Sequence, residues 1–239
     1  LSFDQALDVM AAHVVPLGAE AVPIASAAGR VLAEALRART AMPRVAVSVM
    51  DGYAVIDAST KPDEPQTVVG ESRAGAAFPH RIAAGQAVRI FTGAPLPAGA
   101  DRCIMQEYAV RDGDHVRFVE GYGPSWHVRA AGSDCAAGSV LLAAGQRLTP
   151  RAMVAAAAAD VAQLTVAHRP TVAIIGTGDE LAPPGEASLR PDAIPESVTY
   201  GVAALAEQAG ARVVSRVAVP DDLPALEGAA GSALSNADV

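Results

Sequence analysis

Between residues 43 and 136 no apolar run lasts more than a few residues. The runs are "VAVSV", "YAVI", "TVVG", "AVRIF", "RCIMQE" and "HVRFV", separated by glycines and prolines such as Gly70, Gly85, Pro95, Pro97, Gly99 and Gly113. Such punctuation excludes long helices, because glycine costs about 1 kcal/mol and proline about 3 kcal/mol in a helix interior. Short strands with regular turn signals remain, which predicts an all-β module built as a small barrel or sandwich.

The flanks have a different texture. Ser2 is a plausible N-cap with Gln5 three residues on, the pattern of a capping box. Phe3, Ala6, Leu7, Met10 and Val14 follow at helical spacing, so residues 2–15 are predicted helical. "AAGRVLAEAL" (27–36) reads as a second short helix, and Pro43 then breaks the chain. Residues 139–148 read as a strand and turn. Residues 149–160 read as a helix with Thr149 as cap and Pro150 in the first position. From 168 onward, "RPTVAIIGTGDEL" is a buried strand entering a polar loop. A helix over 197–209 ending at Gly210, the strand "RVVSRVAV", a helix capped by Asp222, and the start of a third strand at "ADV" come next. That alternation is the signature of an α/β parallel sheet.

The predicted architecture is multi-domain α/β. Segments 1–42 and 137–167 are expected to pack together as a discontinuous helical linker domain around an inserted β-rich domain, 43–136. An α/β domain follows over 168–239. Two strands and the first residues of a third are few for a parallel sheet covered on both faces, so this domain is expected to be truncated.

Bulk properties exclude several classes. The net charge is −8 and Lys61 is the only lysine, a poor basis for binding a phosphate backbone, so no nucleic-acid partner is expected. Aromatic residues make up 4%, too few for stacking platforms. No apolar run approaches the ~20 residues of a membrane span, and residues 1–20 lack a signal core, so neither membrane association nor export is expected. Cys103 and Cys135 cannot build a disulfide framework, and the reduced cytoplasm is the default compartment.

The chemistry-bearing residues lie in acidic loops at strand ends. "SVMDGYAV" (48–55) sets Asp51-Gly52-Tyr53 inside an otherwise strand-like run. One reading is a hairpin turn with Tyr53 on the core, since Asp-Gly favours tight turns. The other is a functional carboxylate. Asp101 and Glu107, Asp134, and Asp179-Glu180 stand at similar junctions, where a rigid scaffold presents functional groups. Hard carboxylate oxygens suit Mg²⁺, which often bridges to phosphate. Thr92 and Thr177 offer hydroxyls, while Gly93 and Gly178 let backbone amides approach an anion. Together these residues describe a place for a phosphate-bearing ligand and a divalent ion. There is no GxGxxG, Walker loop or GxSxG, and the five histidines show no metal-ligand spacing.

Read in order, "PRVAVSVMDGYAV", "RIFTGAPLPAGADRCIMQE", "VRAAGSD" and "RPTVAIIGTGDEL" resemble the molybdopterin molybdenumtransferase family, the MoeA and gephyrin E-domain group. The resemblance covers nearly the whole chain. It implies insertion of molybdenum from molybdate into the dithiolene of adenylylated molybdopterin, with release of AMP and participation of Mg²⁺. It also implies a homodimer whose cleft lies between the β-rich domain of one copy and the α/β domain of the other. Molybdopterin adenylyltransferase and molybdoenzyme acceptors are the implied partners. By motif matching, Asp51, Thr92, Asp134 and Glu180 carry over as catalytic residues, with Asp51 and Glu180 toward the metal. Gly93, Thr177, Gly178 and Asp179 are read as ligand-binding. Three features depart from the family. Its glycine-rich "GGxSxGxxD" loop and following Lys/Pro run are not in this sequence, and four carboxylates without that positive charge would repel molybdate. Val198 replaces an amide, and Asp160 stands where glycine is usual. A non-catalytic binding or scaffolding module is therefore the alternative to the enzyme.

Overall fold

The computed structural model describes all 239 residues. In chain order its elements are helix α1 (Phe3–His13), then strands β1 (Ala19–Pro23), β2 (Leu36–Arg37), β3 (Val47–Ser48), β4 (Gly52–Val55), β5 (Gln66–Ser72), β6 (Gln86–Ile90), β7 (Arg102–Met105), β8 (Ala109–Asp112), β9 (His115–Phe118), β10 (Val128–Arg129) and β11 (Val140–Leu142). Helix α2 (Pro150–Ala158), β12 (Gln163–Ala167), β13 (Thr171–Thr177), β14 (Leu181–Ala182), β15 (Ile194–Pro195), α3 (Val198–Ala209), β16 (Arg212–Val219) and α4 (Leu223–Asn236) complete it. The chain divides into two compact units. One comprises Leu1–Leu36, Leu142–Ala157 and Val161–Val239, and the other Arg37–Leu141 with Ala158–Asp160.

The second unit is the β-rich one. Its six-stranded sheet has the order β7-β4-β6-β5-β9-β8, antiparallel except for the parallel pair β5–β6. Each strand expected from the short apolar runs is present. Alternation of side chains splits the core between the two faces of the sheet. Tyr53, Val55, Ile104 and Phe118 pack on one side, and Ala54, Val88, Ile90 and Cys103 on the other. Tyr53 meets Phe118 edge-on at 6.0 Å between ring centroids.

In the first unit the segments 1–36, 142–157 and 161–167 fall together with the α/β region. Strand β1 pairs antiparallel with β12, Val22 facing Leu164. The helix predicted over 27–36 is not formed. Gly29 turns the chain at φ 76°, and Leu32, buried to 2% exposure, bridges to Val166. The amides of Leu32 and Ala33 donate to the carbonyls of Gln146 and Thr165, so strand partners displace the i−4 bonds that the alanines and leucines would favour. Helix α1 has its capping box, Ser2 and Gln5 bonding reciprocally, yet it buries none of its residues. The expected packing of this helix into a linker core is therefore not seen.

Strands β13 and β16 pair in parallel, Ile174 beside Arg216, and α3 and α4 both pack on them. Helix α3 ends at Gly210 in the left-handed conformation, and Asp222 caps α4 through the Ala225 amide, as the sequence predicts. The third strand expected at 237–239 is not formed as an element, although the Val239 amide donates to the Thr171 carbonyl and the Val239 carbonyl accepts from the Ala173 amide on β13. No helix is long and apolar enough to cross a membrane.

Candidate active site

Asp51 stands at the entrance to β4, and its neighbours are fixed from three directions. Gly52 can lie against β7 only because it has no side chain. The Ser48 hydroxyl donates to the Met50 carbonyl at 2.6 Å, and the Gln106 amide donates to the Asp51 carbonyl at 3.0 Å. One carboxylate oxygen, Oδ1, accepts from both the amide (2.7 Å) and the hydroxyl (2.9 Å) of Thr92. These two bonds, the amide first, and the nearby Arg89 charge hold the Asp51 carboxyl below the ordinary carboxylate range. The hairpin-turn reading of Asp-Gly is not what forms, since the partner is a residue on another loop. Only Oδ2 is without a partner.

The "TGA" loop departs from its expected chemistry. The Gly93 amide donates to the Ser48 carbonyl and the Ala94 amide to Phe91, while that of Thr92 goes to Asp51. All three donors are engaged within the chain, so Gly93 serves the turn, at φ 79°, and does not present an amide to an anion. Asp134 is engaged too. Arg129, on β10 opposite Val47, grips both of its oxygens and holds its carboxyl below the ordinary range.

Thr177, Gly178, Asp179 and Glu180 follow one another at the carboxyl end of β13, the side where open α/β sheets bind ligands. A cleft of about 570 Å³ lies there, lined by Thr177, Glu180, Leu181, Glu196, Val198 and Val202 among others. The Gly178 amide donates to the Val219 carbonyl, so it does not stand open for a ligand as expected. A Cβ on Gly178 would fall 2.7 Å from Glu180 Oε2. Asp179 accepts the Asp221 amide at 3.1 Å. The Glu180 carboxylate has no hydrogen-bond partner or ion pair in the chain. Val198 opens helix α3 at the rim, 73% exposed. Asp160, the other departure, takes φ 60°, a left-handed conformation that explains why glycine suits this position.

Glu196 lies outside the acidic loops that the sequence marks. It is buried, and its carboxylate accepts the amide (2.8 Å) and hydroxyl (2.6 Å) of Thr199 and meets Arg216 at 3.3 Å, while Arg216 stacks on Tyr200. An acid three residues before a threonine at a helix start was the available signal. The Thr199 hydroxyl, then its amide, then the Arg216 charge lower the Glu196 pKa. A carboxylate lowered on folding stabilises the fold above its unfolded pKa, and that contribution is lost as pH falls through the folded value. Glu196→Gln is therefore expected to destabilise the protein at neutral pH, with the difference from wild type vanishing in acid. Denaturant titrations at pH 7 and at about pH 3, below the ordinary Glu pKa, check this. An equal deficit at both pH values would contradict it.

No three His, Cys, Asp or Glu side chains come together as a metal cage. Taken one at a time, the free Oδ2 of Asp51 and the unpartnered Glu180 carboxylate are each of a chemistry that fits Mg²⁺, which keeps most of its waters and needs only one or two carboxylates beside a substrate phosphate.

A family model described as the MoeA N-terminal region (domain I and II) matches residues 1–159. Molybdopterin molybdenumtransferase 2 of Mycobacterium tuberculosis is 38% identical over 207 residues, covering 84% of this chain and 51% of the relative. The molybdopterin molybdenumtransferase of Nostoc sp. is 35% identical over 225 residues, covering 92% and 51%. The chain thus spans about half the length of these curated relatives. The crystal structure of the molybdopterin biosynthesis MoeA protein from Pyrococcus horikoshii OT3 superposes with a TM-score of 0.89 at 27% identity, over 100% of this chain and 65% of that one. With the family model matching most of its length and a relative at this identity, the chain belongs to the MoeA family.

Proposed function

We propose that this chain serves molybdenum cofactor biosynthesis in the cytoplasm, in the step that inserts molybdenum from molybdate into adenylylated molybdopterin and releases AMP. The observation that carries this reading is the Asp51–Thr92 pair. One oxygen of the carboxylate is fixed by two donors and the other is left free beside a loop. A carboxylate held in that way is pre-aimed, so it needs no reorganisation when a ligand arrives. Asp51 and Glu180 are each proposed as a carboxylate for Mg²⁺, which supplies positive charge to phosphate oxygens. Thr177 and Asp179 border the ligand at the end of β13. Arg129 neutralises Asp134, which lessens the repulsion that an anionic substrate would meet from an uncompensated group of acids. The test is AMP release from adenylylated molybdopterin with Mg²⁺ and molybdate. A folded protein that binds the nucleotide and never releases AMP would replace this reading with the scaffolding one. Molybdopterin adenylyltransferase, as supplier of the substrate, and molybdoenzymes, as acceptors of the product, are the partners this step requires.

The same reading includes a homodimer. Helix α1 carries Phe3, Leu7 and Met10 at helical spacing, all exposed, Phe3 to 78%. An amphipathic helix that buries nothing in its own chain is stable in water only at the margin, and a second copy would cover it. Light scattering at tens of micromolar, where a weak dimer persists, is expected to give twice the chain mass. A monomer there would refute the dimer.

A further inference from the structure

Arg89 lies directly opposite Tyr53 on the β4–β6 ladder and close to Asp51, yet none of the family motifs assigns it a role. Its guanidinium sits 5.2 Å from the Tyr53 ring centroid and 4.8 Å from that of Phe91. It has no carboxylate in ion-pair range. Glu71, which faces it across the β5–β6 ladder, is taken by Arg73. Arg89 instead donates to two neutral acceptors. Nη1 bonds the Gly52 carbonyl at 3.1 Å and Nη2 bonds the Gln106 side-chain oxygen at 2.6 Å. Both acceptors belong to residues that touch Asp51. Gly52 follows it in the chain, and the Gln106 amide donates to its carbonyl. The contacts close a ring from Arg89 through Gly52, Asp51 and Gln106 back to Arg89.

We propose that Arg89 is a positioning residue for the Asp51 carboxylate, its fork holding together the two chain segments that flank Asp51 while the Tyr53 and Phe91 rings hold the fork. The physical case rests on geometry. A planar guanidinium presents a rigid fork of donors to two acceptors and stacks flat on aromatic faces, whereas an ammonium is a point charge on a flexible stem. A half-buried guanidinium with no carboxylate partner is retained where its donors order something else. Here they order the backbone on both sides of a carboxylate whose aim matters. The inference rests on Asp51 being a site residue, as proposed above.

Hydrogen exchange on the chain itself tests this without any assay of activity. Two amides report the aim of Asp51: Thr92, which donates to its carboxylate, and Gln106, which donates to its carbonyl. In Arg89→Met both are expected to exchange about tenfold faster or more, through local opening, while the core amides of Val88 and Ile104 keep their rates. Arg89→Lys retains the charge without the fork and is expected to show most of the same loss. Unchanged rates at Thr92 and Gln106 would overturn the proposal. So would a uniform rise across β6 and β7, which marks a general loss of stability, or full recovery in Arg89→Lys, which would make charge alone sufficient. In protein that releases AMP, Arg89→Met should lower kcat with little change in KM and add nothing on top of Asp51→Asn, because the two act as one unit. Additive losses would also overturn it. Absence of AMP release from the wild type would remove the proposed function and leave the exchange result to decide the role of Arg89.

Discussion

Asp51→Asn is expected to lower AMP release by about 10²-fold or more, the scale of removing one pre-aimed electrostatic group, with the melting temperature nearly unchanged. Asparagine has the same shape, and its side-chain oxygen can still accept from the Thr92 amide and hydroxyl that now bond Asp51. What disappears is the charge, and with it the free oxygen's grip on a hard cation. The measurement is AMP release per folded molecule beside a thermal melt. A variant that unfolds while its folded fraction keeps normal activity would make Asp51 a structural residue and remove it from the site.

Gly52→Ala is expected to act in the opposite way, by destroying structure. A Cβ built on Gly52 falls 1.9 Å from the Ile104 carbonyl oxygen and 2.8 Å from its carbon. Both atoms belong to the backbone of a core strand, so neither can rotate aside. Strand β4 is buried along its whole length and pairs with β7 on this edge, so the strands would have to separate. The expected loss is about 3 kcal/mol or more, at the upper end for forced overpacking, read as a melting temperature lower by roughly 10 °C. A variant with wild-type stability would show that β4 and β7 are not this close.

The two variants separate what could be read in the sequence from what could not. Acid and glycine inside an apolar run marked residues 51 and 52 as exceptional, and the β-rich unit was legible because its strands are bounded by Gly and Pro. The bond from Asp51 to Thr92 was not legible, since it links loops 41 positions apart and depends on strand order. The partners of the Gly93 and Gly178 amides were not legible for a related reason. Glycine shows that a backbone can approach something closely, but the approach made here is to Ser48 and Val219. "AAGRVLAEAL" read as helix because alanine, leucine and glutamate favour one, and long-range pairing to residues 146–166 overrode that preference. Glu196 was not legible either, because its significance comes from burial beside Arg216, which lies on a later strand.

In the sequence, strand β1 precedes and its partner β12 follows the β-rich segment, Pro23 pairing with Gln163. During synthesis β1 leaves the ribosome long before the residues it must pair with exist, and it waits with unmet hydrogen-bonding groups and apolar side chains. Loop closure over that span is entropically costly for a flexible chain. Once the intervening unit has collapsed into its own sheet, the ends to be joined are tethered by a folded body in place of a long coil. The expected order of maturation is the insert first and the segments around it second. A variant that slows the insert, Gly52→Ala among them, would thus also prolong the time in which the unpaired β1 edge is open to aggregation.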